Sequence, residues 1–396
     1  MSAGDSRAEQ RSSVRRDLTS ILRGYLLFAG AAGVVWALVA AFSLASFDVT
    51  AYQVLLAFGA AVALVAGVIA AVEARKPREQ PLLAPVGVAI APDGRVYVAD
   101  RDRSQLVQIQ ASGEVEPVLR RLGTFDYWAY SAYGVAVADD GAVLYADARH
   151  QCVRRIQPGG EEDLFGGREG LMSADVSRPS QDGEQVLSRP VALAAVGDGA
   201  LVCTVGDDRV WRVNADRTQS VVAGAGGRGG AADGTPAVEA RLRSPRGVTV
   251  DARGRVVFSE RWGHVVRVVL DDGTLATLAG NGERGRSGDG GPATQARLSG
   301  PTGVAAGVDG CVYVADTGNG RVVRVDPDGA FTTIAEDLGA PHGLALDRRG
   351  ALYVADARGG RLWRLDPDGT ITQLISGSGE RPDAPATNAT EEPSLP

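Results

Sequence analysis

Pro301-TGVAAGVDGCVYVADTGNGRVVRVDPDG-Ala330 and Pro341-HGLALDRRGALYVADARGGRLWRLDPDG-Thr370 are two copies of one pattern, and Pro85-VGVAIAPDGRVYVADRDRSQLVQIQASG-Glu114 is a third. An opening glycine and a later acid stand thirteen residues apart in Gly87 and Asp100, Gly134 and Asp147, Gly247 and Glu260, Gly303 and Asp316, and Gly343 and Asp356. A further copy, from Ala192 to about Val205, has lost both markers but keeps the apolar run Val210-Trp-Arg-Val213. Within a copy, short alternating apolar runs (GVAV, RVYVAD, RVVRV, TTIA) are separated by turn signals such as PDG, TGNG and DPDG, which predicts four antiparallel strands. A lone four-stranded sheet cannot bury both of its faces. Six such sheets stacked around an axis can, and closing the ring protects their edges. The expected fold is therefore all-β, a six-bladed β-propeller over residues 85–375. A solenoid is the competing architecture, and it usually calls for helices or parallel strands.

The string P-x-G-V-A-x-x-x-x-G-x-V-Y-V-A-D-x-x-N/G-x-R-V-x-R-V is similar to the NHL repeat, and GDGGPATQARLSGPTGVA looks like its longer variant in bacterial multi-repeat proteins. The resemblance runs from about Pro85 to Ile375 and is specific for fold. For function it implies several roles: a protein-binding platform, an RNA binder, a sensor domain behind membrane spans or, in cousins, a lyase or lactonase.

Upstream of the repeats lie two uncharged apolar stretches, Gly24–Phe47 and Ala51–Val72. Each is long enough, at about 1.5 Å per residue, to cross a hydrocarbon core about 30 Å thick as a helix. The expected organisation is a basic amino-terminal segment (1–23), a two-helix transmembrane hairpin (24–47 and 51–72, within 24–73), a linker (74–84), the propeller and a disordered Pro-rich tail (376–396). A cleaved signal peptide would have a shorter apolar region and no second span. Five arginines precede the first span, three basic residues follow the second and none lies between them, so the positive-inside rule predicts both ends in the cytoplasm. The expected location is thus a bacterial inner membrane with the propeller on its cytoplasmic side. The alternatives are an inverted topology with an outward-facing sensor, or a soluble chain with two buried helices. The near-absence of lysine (Lys76 alone, against 40 arginines) reads as a GC-rich bacterial genome.

Residues 1–80 hold eight basic and six acidic groups of a chain with net charge −7, so 81–396 carry −9. A body this acidic lacks the positive face that phosphate backbones require, and nucleic acid is not expected as a partner. Cys152, Cys203 and Cys311 form no CxxC and read as small buried apolar residues.

Several candidate sites follow from the register. The recurrent acids sit where a strand ends and a turn begins, and they are expected to accept hydrogen bonds from turn amides. GxGxxG occurs at Gly224–Gly229 and at Gly280–Gly285, in segments that align without a gap at an offset of 56. Only one short helical turn follows each, without a βαβ unit, so these predict inter-blade loops and not a dinucleotide site. The residues just before the first-strand glycine are Val86, Tyr133, Val191, Arg246, Thr302 and His342. If that strand lines the axis, Tyr133, Arg246, Thr302 and His342 form a polar mouth for a small polar or anionic ligand. His342 in Pro-His-Gly resembles the histidine of some propeller lyases. The matching positions offer no second imidazole and no carboxylate, so no metal or other cofactor is expected. Phe125-Asp-Tyr-Trp-Ala-Tyr-Ser-Ala-Tyr133 breaks the pattern with aromatics. Tyr127, Trp128 and Tyr130 suit a recognition surface, or else a loop folded back between blades. The leading expectation is a membrane-anchored scaffold or sensor for a protein or peptide partner; the alternative is a hydrolase or lyase with its site at the axial mouth.

Overall fold

A computed structural model describes residues 82–110, 113–119, 132–168 and 187–375. The two apolar stretches 24–47 and 51–72, the linker up to residue 81, the tail from 376 and the aromatic residues Tyr127, Trp128 and Tyr130 lie outside the described residues. Among the described residues no helix is long and apolar enough to cross a membrane.

Among the described residues, twenty-four strands, β1–β24 in chain order, form six four-stranded antiparallel sheets, each made of four consecutive strands. The first sheet sets the plan with β1 (Pro85–Ile90), β2 (Val96–Asp100), β3 (Gln105–Ile109) and β4 (Val115–Leu119). The turn from β1 to β2 shows why PDG recurs. Gly94 sits at φ +89°, where a side chain is strained, and its amide closes the turn onto the Ala91 carbonyl at 2.9 Å. Every residue of β2 is buried, because a blade packs against neighbours on both faces. The outermost strand β4 is more open, and its Glu116 and Pro117 suit an unpaired edge.

The first strands of the sheets are β1, β5 (Ala132–Val137), β9 (Pro190–Val196), β13 (Pro245–Val250), β17 (Val304–Ala306) and β21 (Pro341–Leu346). They contact one another in that order, and β1 touches both β5 and β21, so six inner strands close a ring about an axis. The hydrophobic clusters follow the same plan, each spanning two adjacent blades. The cluster that closes the ring joins Leu82, Val88, Val98 and Val107 of the first blade to Ala355, Leu362 and Ile375 of the last. Leu82 has no exposed surface, and burying one such side chain is worth about 1.5–3 kcal/mol. Among the described residues no strand is exchanged between the first and last blades; packed side chains and the close approach of β1 and the last inner strand close the ring.

The repeat's P-x-G glycine has a steric reason. A Cβ on Gly303 would stand 2.2 Å from the His342 carbonyl oxygen, and one on Gly343 would stand 2.7 Å from that of Val86. Inner strands of neighbouring blades thus meet backbone to backbone.

The recurrent acids are latches. Asp100 accepts from the Leu83 and Ala84 amides at 2.9 Å each, Glu260 from Arg243 at 2.7 Å, Asp316 from Ser299 at 2.7 Å and Asp356 from Ala340 at 2.9 Å. Turn amides contribute as expected at Asp356, which also takes the Arg358 and Gly359 amides, both at 3.1 Å. Asp147 likewise takes the turn amide of His150 at 3.1 Å, but for Asp100, Glu260, Asp316 and Asp356 the principal donors come from the chain entering the inner strand about sixteen residues upstream, so these four tie the start of a blade to the end of its second strand. In the copy that lost its acid, Thr204 takes that place, and Asp208 instead accepts from the Ser244 amide of the next blade at 3.0 Å.

The two glycine-rich connections fold back on themselves. The amides of Gly224, Ala225 and Gly229 donate to the carbonyls of Ala237, Ala240 and Leu242; those of Gly280, Asn281 and Gly285 donate to Ala293, Ala296 and Leu298. Those amides are spent inside the loops and are not arrayed for a phosphate. Short 3-10 turns at Ala237–Glu239 and Ala293–Gln295 follow, as the sequence suggested. Cys152, Cys203 and Cys311 are buried, and none forms a disulfide among the described residues.

Candidate functional site

Strand direction sorts the loops between two faces. Each inner strand starts, each second strand ends and each fourth strand ends on one face; the tight turns after the first and third strands lie on the other. All connections between blades therefore leave from the face where the inner strands begin. Leu119 and Ala132, the ends joined by the segment that carries Tyr127, Trp128 and Tyr130, lie on that face too.

At this face the ladders slip. Pro85 pairs with Asp100 but Gly87 with Ala99, so Val86 has no partner; the same slip isolates Val191, Arg246 and His342. In β5 it falls between Ala132 and Val135, at Tyr133 and Gly134. Thr302 stands just before β17. The six residues that shared a sequence position thus share a place in the fold, a β-bulge or its equivalent at the mouth of the inner ring. Bulges unhitch a side chain from the pleat and re-aim it, which is why they gather beside binding sites.

The described members differ in what their side chains do. Thr302 is almost fully buried. Its hydroxyl lies 2.6 Å from that of Thr317 and 3.0 Å from the His342 carbonyl, tying two blades together within the wall. Arg246 is largely buried, with its Nε donating to Ser244 Oγ at 3.3 Å. His342 keeps some exposed surface, and its Nδ1 stands 3.2 Å from the Val86 carbonyl of the first blade. A carbonyl only accepts, so Nδ1 carries the proton and Nε2 is left as an acceptor. Burial, then the positive charges of Arg246, Arg101 and Arg261, push the His342 pKa down to about 3, while the bond to Val86 works the other way. The imidazole is neutral at pH 7.

Arg101 and Arg261 were not singled out from the sequence. Each is the residue directly after a recurrent acid, and its amide donates to the residue before the inner-strand proline, Arg101 to Ala84 and Arg261 to Ser244, both at 3.0 Å. That pairing places both residues on the face where the inner strands begin. The Arg261 side chain also runs past Gly300, its Cγ 3.6 Å from where a Cβ on Gly300 would stand. The signal was present in the repeat, one position beyond the acid. The latching carboxylates Asp100 and Glu260 are turned onto backbone amides.

The other histidines stand elsewhere. His150 Nδ1 is 2.7 Å from Asp147 Oδ2, and His264 Nδ1 accepts from the Gly300 amide at 3.1 Å. Among the described residues no group of three or more His, Cys, Asp or Glu is placed to hold a metal ion.

Six blades of one repeat, closed through their first strands, define a six-bladed NHL-repeat β-propeller. Residues 70–285 match the family described as the teneurin NHL domain, and residues 298–325 match the NHL repeat. The first match spans more than half of the chain, which therefore belongs to the teneurin NHL-domain family. No curated protein matches the chain. Among solved structures, a streptogramin B lyase is similar at 14% identity and TM-score 0.51, covering 76% of this chain and 86% of that one. A protein of unknown function from Bacteroides thetaiotaomicron is similar at 16% identity and TM-score 0.55, covering 72% and 69%. A gluconolactonase from Xanthomonas campestris is similar at 14% identity and TM-score 0.51, covering 74% and 87%. At such identities the likeness is one of fold.

Proposed function

We propose that this propeller is a binding module that presents its loop-bearing face to a protein or peptide partner. The observation that carries this reading is the segregation of faces: the bulge ring, all inter-blade connections and both ends of the aromatic segment share one side, while the other carries tight turns. Tyr and Trp add large apolar area with a hydrogen-bonding tip, which suits such a surface. The apolar stretches 24–47 and 51–72 tether the module to a bacterial membrane as a helical hairpin, and the flanking arginines place it on the cytoplasmic side. Tethering raises the effective concentration of the propeller near a membrane-bound partner. A reporter fused after Pro396 is expected to be active in the cytoplasm, and activity only outside the cell removes that placement.

The partner test is in-cell cross-linking of the full chain. Tyr127→Ala combined with Trp128→Ala is expected to abolish a cross-linked species that Val308→Ser, on the fully exposed opposite turn, leaves intact. A species insensitive to the first pair and lost with the second would place the partner on the wrong face.

An enzymatic use of the mouth is the second reading, and His342 is the observation that favours it. A neutral imidazole with Nδ1 fixed by a carbonyl presents Nε2 as a hydrogen-bond acceptor for a polar substrate, although a pKa pushed down to about 3 makes it a weak base. Hydrolase or lyase activity surviving His342→Ala would remove it.

A further inference from the structure

The two glycine-rich connections also cover sheet edges. β16 (Leu275–Ala279) and β20 (Phe331–Ala335) are the outer strands of the fourth and fifth blades, and each is covered by the connection that enters its blade. The Leu275 amide donates to the Thr235 carbonyl at 2.9 Å, and the Gly234 amide donates to the Leu275 carbonyl at 2.8 Å. Phe331 exchanges the same two bonds with Gly291 and Gly290, at 3.0 and 2.9 Å. Pro236 and Pro292 then form antiparallel bridges with Thr274 and Ala330. Beyond each proline two alanines sink into the core, Ala237 and Ala240 with Leu275, Ala293 and Ala296 with Phe331. An acid completes each cover: Asp233 lies 3.0 Å from Arg267, and Asp289 3.2 Å from Arg321.

The sixth blade is entered by a short connection, 336–340, and among the described residues its outer strand β24 (Ile371–Ile375) has no such cover. Ile371 holds the register position of Leu275 and Phe331, pairing with the last residue of the third strand. Those two side chains have no exposed surface, whereas Ile371 is 44% exposed. No described residue bonds its amide or carbonyl from outside the blade. Arg361 opens β23 (Arg361–Leu365) as Arg321 opens β19 (Arg321–Val325), yet among the described residues it meets the Trp363 ring, 5.8 Å away, and no acid. Nor does β24 carry the charge and proline that blunt β4 against pairing with another chain.

The sequence leaving β24 contains the covering motif. Pro385-Ala-Thr-Asn-Ala389 repeats the spacing of Pro236-Ala-Val-Glu-Ala240 and Pro292-Ala-Thr-Gln-Ala296, and Asp383 precedes it one residue nearer the proline than Asp233 and Asp289 do. With Pro385 opposite Thr370, as Pro292 is opposite Ala330, antiparallel register sets Glu380 opposite Ile375. Ser376-Gly-Ser-Gly379 is then left as a four-residue hairpin loop of turn-forming residues. We propose that residues 380–389 fold back on β24 and cover the edge of the sixth blade. In this arrangement Asp383 and Ala384 bond the Ile371 backbone, Ala386 and Ala389 pack as the connection alanines do, and the Asp383 carboxylate supplies Arg361 with an acid. Composition alone predicts disorder for this tail; the register gives part of it a seat. The proposal goes beyond the partner reading and does not depend on it.

The test is disulfide trapping in the full-length chain, whose own cysteines Cys152, Cys203 and Cys311 are buried. Thr370→Cys with Ala384→Cys is expected to form an intrachain disulfide in most molecules under mild oxidation. Glu114→Cys with Ala384→Cys, at the corresponding turn of the first blade, is expected to form about tenfold less, as chance encounters of a tethered segment. Adding Ala386→Glu to the first pair, which puts a charge into an apolar seat, is expected to bring it down to the level of the second. In chains without the added cysteines, hydrogen exchange of the Ile371 amide is expected to be about tenfold or more slower in the wild type than in Ala386→Glu. Equal trapping at the two turns overturns the proposal. So do disulfides formed only between chains, which would put a second copy on this edge, or Ile371 exchange that Ala386→Glu leaves unchanged.

Discussion

Gly303→Ala is expected to be among the most damaging single methyls that can be added to the inner ring. The new Cβ would lie 2.2 Å from the His342 carbonyl oxygen and about 3 Å from Leu344 N, both backbone atoms that no rotamer change can move. The same carbonyl accepts the Gly303 amide at 2.8 Å and lies 3.0 Å from the Thr302 hydroxyl, so parting the strands also breaks bonds at the wall. Overpacking of a tight core costs about 1–3 kcal/mol, and the added hydrogen-bond loss brings the expected cost to about 3 kcal/mol or more. Gly329→Ala is the control. It lies in an outer turn at φ +86° with nothing near its absent Cβ, and is expected to cost about 1 kcal/mol from backbone strain alone. Denaturant unfolding of both variants checks the contrast; equal losses would show that the ring is not closed by strand-to-strand contact.

The second large effect is expected at Asp316. Its carboxylate and the Arg321 guanidinium are both fully buried and stand 2.8 Å apart, and Asp316 also accepts from the Ser299 amide and from Asn319 Nδ2, each at 2.7 Å. Burial outweighs these bonds and raises its pKa above the ordinary carboxylate value. Asp316→Ala removes the latch of the fifth blade and takes from Arg321 a fully buried counter-charge. Breaking a buried pair from one side costs about 3–5 kcal/mol. The lower part of that range is expected, because Asp289 remains 3.2 Å from Arg321 Nη1. Replacing both partners with apolar residues, Asp316→Leu with Arg321→Met, is expected to cost less than Asp316→Ala. A double variant as unstable as the sum of its single variants would show that the two residues act independently.

The fold was legible because one repeat carried several independent signals in the same register. Thirteen residues from Gly303 to Asp316, and again from Gly343 to Asp356, fixed the pairing of two strands before any contact was known. Register also put Val86, Arg246 and His342 at one position in their blades, although nothing in the string says that this position is a bulge. What the pattern could not convey was contact between blades. The glycine of P-x-G was a marker without a reason until the neighbouring backbone appeared 2.2 Å from its absent side chain. The acids read as local turn acceptors, which Asp147 is, but the main donors to Asp100, Glu260, Asp316 and Asp356 lie about sixteen residues upstream. Nothing in the string singled out Arg101 and Arg261, and only the backbone pairing of Arg101 with Ala84 and of Arg261 with Ser244 sets them on the face where the inner strands begin.

The central claim is that blades far apart in sequence converge on one polar mouth, and His342 reports it at a single atom. With three histidines in the chain, its imidazole can be followed by nitrogen NMR against acidification of the full-length protein. The groups that act on it come from the first and fourth blades while it stands on the sixth, so its proton affinity registers closure of the ring. Because the folded-state pKa lies below the ordinary 6.5, the unfolded chain takes up this proton first, and His342 contributes stability at neutral pH that is lost as the pH falls from about 6.5 towards 3. The expected result is an imidazole that stays neutral, protonated at Nδ1, until the pH approaches 3. Titration near 6.5 would put His342 in open water, away from the arginines, and would contradict the closed mouth.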